Sequence, residues 1–274
     1  MSTPGTANPL SSPQPWNWVA DGYLETAMPL LGQFAEVAIE RASIGPSTRV
    51  VDVAAGPGTV ACRVAGRAAS VEAIDFSSEM VARCRSRAEA LGLRNVTVTQ
   101  GDGQALPYAN ASFDLGFSMF GLMFFPDRPR GFRELLRVLR PGGCAFVTSW
   151  ASVEESPLML ARIAAFKAAD PSAPSPQKNV MTLEDPALFA REMESAGFVD
   201  VIVEKVYRDR EFRDLDELCL GLIRGNAPFE IIRRDIGERE WSRRMGVMRD
   251  HLGTHHGPFP LRLGSTGYLG QGRR

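Results

Sequence analysis

Apolar positions in the first part of the chain recur with two different periods, one helical and one extended. Residues 29–42 carry apolar side chains at helical spacing and end before Gly45 and Pro46, so they predict a helix. Residues 49–54 read RVVDVA, a short β-branched run that is typical of a buried parallel strand. A tight glycine turn follows this strand at once, and we expect a helix over 59–68 next.

The alternation of the two periods continues as far as residue 150. It predicts strands at 71–75, 96–100, 113–119 and 144–150, and helices at 77–91 and 129–139. Strands that alternate with helices form a parallel sheet covered on both faces. The predicted fold class is therefore α/β: a Rossmann-like, doubly wound, mostly parallel sheet with an antiparallel final strand and helical cap insertions.

Beyond residue 150 the pattern becomes mainly helical. It predicts helices near 157–169, 185–197, 214–224 and 228–252, strands at 198–207 and around 261–269, and a Pro/Ser-rich linker at 171–177. We expect a single domain over 16–274, with its core at 45–150, 198–207 and a last strand near 260–270, and its cap at 16–44, 151–182 and 210–257. The cap should cover the carboxyl ends of the strands, where open α/β sheets bind ligands. Residues 1–15 have little to bury, and we expect them to be disordered.

Composition excludes several classes of function. Lys and Arg number 31 against 32 Asp and Glu, so no overall basic field would attract nucleic acid or an anionic membrane. No apolar run reaches the roughly 18 residues of a membrane span, and the first residues lack the pattern of a secretion signal, so a cytoplasmic location is expected. The four cysteines are far apart and predict reduced core residues with no metal site.

The segment at residues 50–61, VVDVAAGPGTVA, gives the clearest indication of a ligand-binding site. Gly56 and Gly58 would let the backbone approach a ligand closely, and the string satisfies G-x-G-x-x-A. Asp75 ends its own predicted strand 19 residues after Gly56, near the spacing at which an acid binds the two hydroxyls of a ribose. These features fit NAD and S-adenosylmethionine equally well.

Asp52, two residues before Ala54, separates these two cofactors. The dinucleotide fingerprint does not require this carboxylate, which would be unfavourable beside a pyrophosphate. S-adenosylmethionine carries an ammonium and a sulfonium, so an acid beneath the loop suits it. Asp52 could instead accept hydrogen bonds from the loop's own amides, and the two roles can coexist.

Four segments together resemble one known family. Residues 50–58, 71–80, 98–124 and 132–143 are similar in order and spacing to the class I S-adenosylmethionine-dependent methyltransferases, closest in style to the group around the ubiquinone and menaquinone biosynthesis methyltransferases. The resemblance covers about residues 49–150. Ala54 departs from the family's usual glycine, although a small residue is retained.

The resemblance implies S-adenosylmethionine as cofactor and assigns a set of binding residues. Ala54, Gly56 and Gly58 would line the methionyl part, and Asp75 would bind the ribose hydroxyls. Phe76 and Met80 would pack against the adenine, and Asp102 would accept from its exocyclic amine beside Gly103 and Gln104. Ser118, Met119 and Phe120 would run beneath the ribose and the methionine. An N-terminal helix over the cofactor would let Tyr23, together with Trp18, close the site. Core packing is the alternative for Phe76, Met80 and residues 16–23, and a turn-stabilising acid is the alternative for Asp102.

The resemblance also limits the reaction. Residues 118–121, SMFG, lack the Asn/Asp-Pro-Pro-aromatic sequence with which similar enzymes hold an amino group, so base and amide methylation are not expected. Apolar residues cluster there instead and predict a small, partly apolar or aromatic acceptor: Met119, Phe120, Met123, Phe124 and Phe125. No catalytic residue is assigned, and His255 and His256 are the candidates for a base, against the alternative of exposed polar residues.

Two other functions stay open at this point. An NAD-dependent oxidoreductase would share the glycine loop and Asp75. A non-catalytic binding protein could use the same fold, because fold does not establish function. The expected partner is a small-molecule acceptor, with no nucleic acid and no membrane, and a homodimer stays open together with the choice among O-, C- and N-methylation.

Overall fold

The computed structural model describes residues 8–173 and 183–274 of the chain. Its strands are β1 (Arg49–Val53), β2 (Ser70–Asp75), β3 (Val96–Gln100), β4 (Phe113–Met119), β5 (Leu139–Trp150), β6 (Val199–Phe212) and β7 (Leu261–Arg273). They form a seven-stranded sheet in the order β3-β2-β1-β4-β5-β7-β6. The first five strands pair in parallel, and β7 is inserted antiparallel to both β5 and β6. The predicted fold class is confirmed.

Helices cover the sheet and its upper edge. They are α1 (Pro13–Gly22), α2 (Met28–Arg41), α3 (Ala61–Val64), α4 (Ser78–Ala90), α5 (Arg128–Val138), α6 (Pro157–Ala169), α7 (Pro186–Ala196), α8 (Leu215–Ile223), α9 (Ala227–Ile236) and α10 (Glu238–His255). A π-helical segment, Tyr23–Ala27, joins α1 to α2, and a 3₁₀ turn, Leu122–Phe124, follows β4.

Local chemistry explains where several helices begin. Ser77 accepts a hydrogen bond from the amide of Met80 at 3.1 Å, and Asp127 accepts from the amide of Arg130 at 2.9 Å, so each side chain satisfies a free donor at the first turn of α4 or α5. Gly197 ends α7 with a φ of +107°, which a residue with a Cβ adopts only at a cost. These caps determine where α4 and α5 begin and where α7 ends.

The cap has a separate apolar core beside the two that cover the sheet. Ala165, Phe212, Leu218, Met248 and Leu252 are buried together where α6, α8 and α10 meet the ends of β6 and β7. Burial of this apolar surface holds the cap helices against the long antiparallel strands. The cap is thereby positioned over one end of the sheet.

Three predictions for the cap and the N-terminus need correction. The helix predicted over 228–252 is two helices, because Gly237 between α9 and α10 has φ 79° and ψ 162°, outside the helical region. The helix expected over 59–68 is reduced to the single turn of α3. Residues 8–15, which were expected to be disordered, form a 3₁₀ turn and the start of α1 because Ser11 Oγ donates to the carbonyl of Phe124 at 2.7 Å.

The strands predicted at 71–75, 96–100 and 113–119 agree with β2, β3 and β4 within one residue, whereas the last two strands are longer than predicted. The strands predicted at 198–207 and 260–270 extend to Phe212 and Arg273, and they pair with each other along most of that length. Residues 1–7 of the expected disordered segment and residues 174–177 of the expected linker lie outside the described residues. Among the helices in the described ranges, none is long and apolar enough to cross a membrane.

Candidate functional site

A cavity of about 360 Å³ lies at the carboxyl ends of β1, β2 and β4. The chain runs from β1 outward to β3 and then returns to β4 on the other side of β1, so a crevice opens where the strand order reverses. We call this cavity the loop pocket. Its lining residues are Ser11, Pro13, Trp16, Tyr23, Ala54, Gly56, Asp75, Phe76, Met80, Gly101, Asp102, Gly103, Gln104, Met119, Phe120, Gly121, Phe124, Phe125 and Pro126.

The loop after β1 reaches the pocket through an unusual backbone. Ala54 has a φ of +56° and Gly56 a φ of +54°, the left-handed conformation that a Cβ disfavours. A Cβ placed on Gly121 would lie 2.3 Å from the Cβ of Ala54, so the loop and the segment after β4 are in direct backbone-level contact. Glycine at both 56 and 121 therefore leaves space for a ligand and for the loop itself.

Asp75 at the end of β2 holds the loop in place. Its Oδ2 accepts from the amide of Gly56 at 2.8 Å, and its Oδ1 accepts from the amide of Ser77 at 2.9 Å. The side chain is buried, and burial raises its pKa to about 6, against the opposing effect of these amide hydrogen bonds. Asp75 thus faces the pocket with both oxygens oriented and with lone pairs left for a ligand's hydroxyls.

Asp52 lies beneath the loop and outside the lining of the loop pocket. Its Oδ2 accepts from the amide of Ala61 at 3.0 Å, and the side chain is 1% exposed. Burial raises its pKa to about 8, and the carboxylate of Asp75 adds to the increase. Asp52, Tyr23 and Gly56 do line a small adjoining cavity. The structure therefore shows the backbone-binding role, with the acid one layer below the pocket.

The segment after β3 forms the other side of the pocket. The exposed Asp102 accepts from the amide of Gln104 at 2.8 Å, so this acid stabilises its own turn. Gly103 has no room for a side chain, since its Cβ would lie 2.5 Å from the ring of Phe125. Phe76 and the buried Met80 line the pocket from the start of α4. The pocket wall is apolar at α4 and polar at Asp102.

Besides Asp52, two further predicted binding residues, Gly58 and Ser118, do not line the pocket. A Cβ on Gly58 would lie 2.6 Å from the Sγ of Cys84, so this glycine permits the loop to pack against a thiol below it. Ser118 is fully buried, and its Oγ accepts from the amide of Leu122 at 3.2 Å. Both residues shape the pocket from beneath, and the prediction of direct contact is corrected to this supporting position.

A second cavity of about 320 Å³ adjoins the loop pocket on the cap side. We call it the cap cavity. The two cavities share four aromatic residues, which form the wall between them: Trp16, Tyr23, Phe120 and Phe124. Apolar side chains from α2, the 3₁₀ turn, the end of β5 and α6 line much of the rest: Leu30, Leu31, Met123, Trp150, Leu158, Met159 and Ile163. The loop pocket therefore adjoins a chamber whose lining is largely apolar.

The shared wall is held in a strained conformation at one residue. Phe120 has a φ of +56°, which is rare for an aromatic residue, and its amide donates to the Oγ1 of Thr148 at 2.9 Å. Its ring lies 4.1 Å from that of Trp150, centroid to centroid. Strain of this kind persists where the surroundings fix it, and it concentrates at functional sites.

Tyr23 contributes a phenol to the same wall. Burial and the carboxylate of Asp75 both raise its pKa well above its ordinary value. The phenol therefore stays protonated at neutral pH, and it can donate a hydrogen bond but cannot serve as a base. Its position between the two cavities agrees with the predicted place of an N-terminal segment over the site.

Trp18 does not lie where it could help Tyr23 to close the site. Trp18 faces α9, with the guanidinium carbon of Arg234 4.0 Å from its ring centre, and it lines neither cavity. Trp16 lines both of them, and its indole packs 5.3 Å from the ring of Phe124. Helical spacing in the sequence indicates Trp16 instead, because residue 16 lies seven positions before Tyr23 and therefore on the same helix face.

The three histidines of the chain lie outside both cavities. His255 ends α10, where its Nδ1 lies 2.8 Å from the carbonyl of His251, and its side chain is exposed. His256 is the next residue, and burial lowers its pKa. Neither residue lines the loop pocket or the cap cavity, so the structure removes His255 and His256 from the site.

Charge distinguishes the ligands that the loop pocket can accept. Asp75 and Asp102 line it, whereas none of the described lining residues is Lys, Arg or His. A pyrophosphate would meet carboxylates and no cation there, while a ligand with positive charge would be stabilised. The pocket is suited to a nucleoside with a cationic tail.

Comparison with known proteins agrees with this geometry. The pattern of a methyltransferase domain matches residues 50–143. An uncharacterised protein of Mycobacterium tuberculosis is 35% identical over 150 residues, which cover 55% of this chain and 54% of that protein. The chain thus spans about half the length of the first curated relatives that it matches.

A second relative matches over more of its length. The demethylmenaquinone methyltransferase of Corynebacterium kroppenstedtii is 34% identical over 167 residues, 57% of this chain and 70% of that enzyme. The crystal structure of YcgJ from Bacillus subtilis has a similar fold, with a TM-score of 0.56 and 19% identity over 88% of this chain and 97% of YcgJ. The chain therefore belongs to the class I S-adenosylmethionine-dependent methyltransferases, in the group that includes the demethylmenaquinone enzymes.

Proposed function

We propose that the protein binds S-adenosylmethionine in the loop pocket and transfers its methyl group to a small, partly apolar or aromatic molecule in the cap cavity. The observation that carries the proposal is the pair of adjoining cavities that share one aromatic wall. One cavity has the glycine loop and Asp75, and the other has a mainly apolar lining. A donor and an acceptor would meet at this wall.

The donor would be held by residues around the loop pocket. Asp75 would accept hydrogen bonds from the two ribose hydroxyls, and charge-assisted bonds of this kind are worth roughly 1.5 to 3 kcal/mol each. Phe76 and Met80 would pack against the adenine, and Asp102 with Gln104 would bind its amine. Ala54, Gly56 and Met119 would line the methionyl part. Asp52, whose pKa of about 8 leaves it mostly protonated at neutral pH, would support the loop from below through the amide of Ala61.

The bound donor supplies an activated methyl group on a sulfonium, and the residues of this chain supply alignment and exclusion of water. Positioning of two reactants can contribute roughly 7 to 11 kcal/mol to an in-line displacement. The rings of Trp16, Phe120 and Phe124 would surround the reacting centre, because aromatic faces stabilise a cation. Tyr23 would donate a hydrogen bond at the same wall and would not remove a proton.

Calorimetric titration tests the donor assignment. S-adenosylhomocysteine should bind to the purified protein, and NADH should not, because the loop pocket offers two acids and no cation. Tight binding of NADH without binding of S-adenosylhomocysteine would support an oxidoreductase instead. Incubation with S-adenosylmethionine and a panel of phenols, enols and quinols should then yield methylated product, whereas donor binding without turnover on any acceptor would favour a non-catalytic binding protein.

A further inference from the structure

The cap cavity contains an arginine that has no acidic partner among the residues that the structure describes. Arg162 projects from α6 and lines the cavity among apolar side chains. The ring centre of Phe229 lies 6.0 Å from its guanidinium carbon. Among the described residues, no carboxylate lies within ion-pair distance of it, and the residues outside the described ranges include no Asp or Glu.

The other charged groups of the cavity are accounted for differently. Arg210 donates to Glu217 at 3.1 Å and to the carbonyl of Thr26 at 3.0 Å. Arg224 pairs with Glu25 at 3.0 Å. Each of these two cations therefore has an acidic partner within the protein.

Glu184 also lines the cavity but does not compensate Arg162. Burial alone lowers the pKa of Arg162 to about 10, and no neighbouring carboxylate opposes that decrease. The half-buried side chain remains charged at neutral pH, and its guanidinium can donate up to five hydrogen bonds to a ligand in the cavity. A cation in this position is costly for folding unless something else pairs with it.

We propose that the acceptor carries a carboxylate or similar planar anionic group, and that Arg162 binds it and thereby orients the acceptor's apolar body toward the shared aromatic wall. This inference rests on the proposed function. Arginine suits such a group because its fork of donors matches two carboxylate oxygens at once. The rest of the cavity, from Leu158 to Trp150, would contact the acceptor's apolar or aromatic part. The acceptor class is therefore an aromatic or otherwise apolar acid.

Two variants separate this role from a structural one. Arg162→Met keeps the length of the side chain and removes the charge, whereas Arg224→Gln removes a charge from the same cavity wall that Glu25 already neutralises. Since Arg162 is an uncompensated charge, Arg162→Met should unfold at the same temperature as the wild type or higher. A large decrease in its melting temperature would show that Arg162 stabilises the fold, and would contradict the proposal.

The binding test uses matched probes on protein saturated with S-adenosylhomocysteine. Hydroxybenzoate, hydroxycinnamate and hydroxynaphthoate are titrated beside their carboxamides, which have the same shape without the charge. In at least one pair the wild type should bind the acid about tenfold or more tightly than the amide. Arg162→Met should reduce this ratio to about twofold or less, and Arg224→Gln should retain it.

Each other outcome has a defined meaning. Equal binding of acid and amide in every pair, no binding of any acid at about 10 mM, or an unchanged preference in Arg162→Met would overturn the inference. Failure of the wild type to bind S-adenosylhomocysteine at the first step would instead overturn the proposed function. The two failures are therefore distinguished before any acid is added.

Discussion

Substitution of Asp75 by Asn tests the centre of the proposed donor site. The carboxylate accepts from two backbone amides, those of Gly56 and Ser77. An asparagine has one oxygen and one NH₂, so one of these amides loses its acceptor in either orientation of the side chain. Loss of a buried acceptor costs about 1 to 3 kcal/mol, and we expect the free energy of unfolding of the ligand-free variant to decrease by that amount.

The effect on ligand binding is separate from the effect on stability. Two charge-assisted hydrogen bonds to the ribose would become neutral ones, each weaker by about 1 to 1.5 kcal/mol. The Kd for S-adenosylhomocysteine should therefore increase roughly 30- to 150-fold. Isothermal titration measures the Kd, and urea unfolding measures stability on the same preparation.

Two controls identify the ribose as the group that Asp75 binds. Asp102→Asn removes an exposed carboxylate from the same pocket and should weaken binding by less than about tenfold. The 2′,3′-dideoxy analogue of S-adenosylhomocysteine should bind weakly to the wild type, and Asp75→Asn should weaken it little further. If Asp75→Asn binds S-adenosylhomocysteine within about threefold of the wild type, the reasoning is refuted.

Three further predictions follow from the site. Asp52 has a pKa of about 8 in the folded protein, above its ordinary value of 3.8, so folding takes up a proton between these values and stability decreases as pH rises. Urea unfolding of the ligand-free protein should show a loss of about 2 kcal/mol from pH 6 to pH 8, and Asp52→Asn should remove most of that loss, because Asp75, with a pKa of about 6, contributes only a small part of it. Gly121→Ala would place a Cβ against Ala54 and should weaken binding of S-adenosylhomocysteine about tenfold or more, with recovery in the double variant that also carries Ala54→Gly; no recovery would refute the contact. The double variant His255→Ala, His256→Ala should retain the full rate of methyl transfer in a donor-turnover assay. A large loss of this rate would indicate that one of the two histidines acts as a base.

The donor side of the site could be predicted from the sequence because its chemistry is local. The turn after β1 needs small residues within a few positions, and Asp75 ends the very next strand. Parallel strands bring their carboxyl ends to one edge, so neighbouring strand ends meet without further information. Backbone amides of the loop were one of the two partners predicted for Asp52, but Ala61 as the donor was not, because its amide comes into reach only once the loop has folded back.

The cap could not be predicted to the same depth because its contacts are between distant residues. Thr26 donates to the carbonyl of Arg224, almost two hundred positions away, and the sequence contains no sign of that pairing. In the sequence, Arg162 cannot be distinguished from any other arginine on a helix, because its surroundings form only when the other cap helices pack around it. The sequence shows a glycine at position 237 that could interrupt the helix, but the positive φ of Gly237 depends on the packing of α9 and α10.

Helix α1 contacts both the start of α4 and the cap, and this placement leads us to expect a fixed order of ligand binding. Asn17 accepts from Ser77 at 2.6 Å, Asp21 pairs with Arg83, and Gly22 lies against Gly225 of the cap. The helix and the turn that follows it complete the walls of both cavities. Because a displaced α1 would leave the acceptor chamber without one side, we expect compulsory order: the methyl donor enters first, and its demethylated product leaves last. Steady-state kinetics should then show that this product inhibits competitively against the donor and noncompetitively against the acceptor.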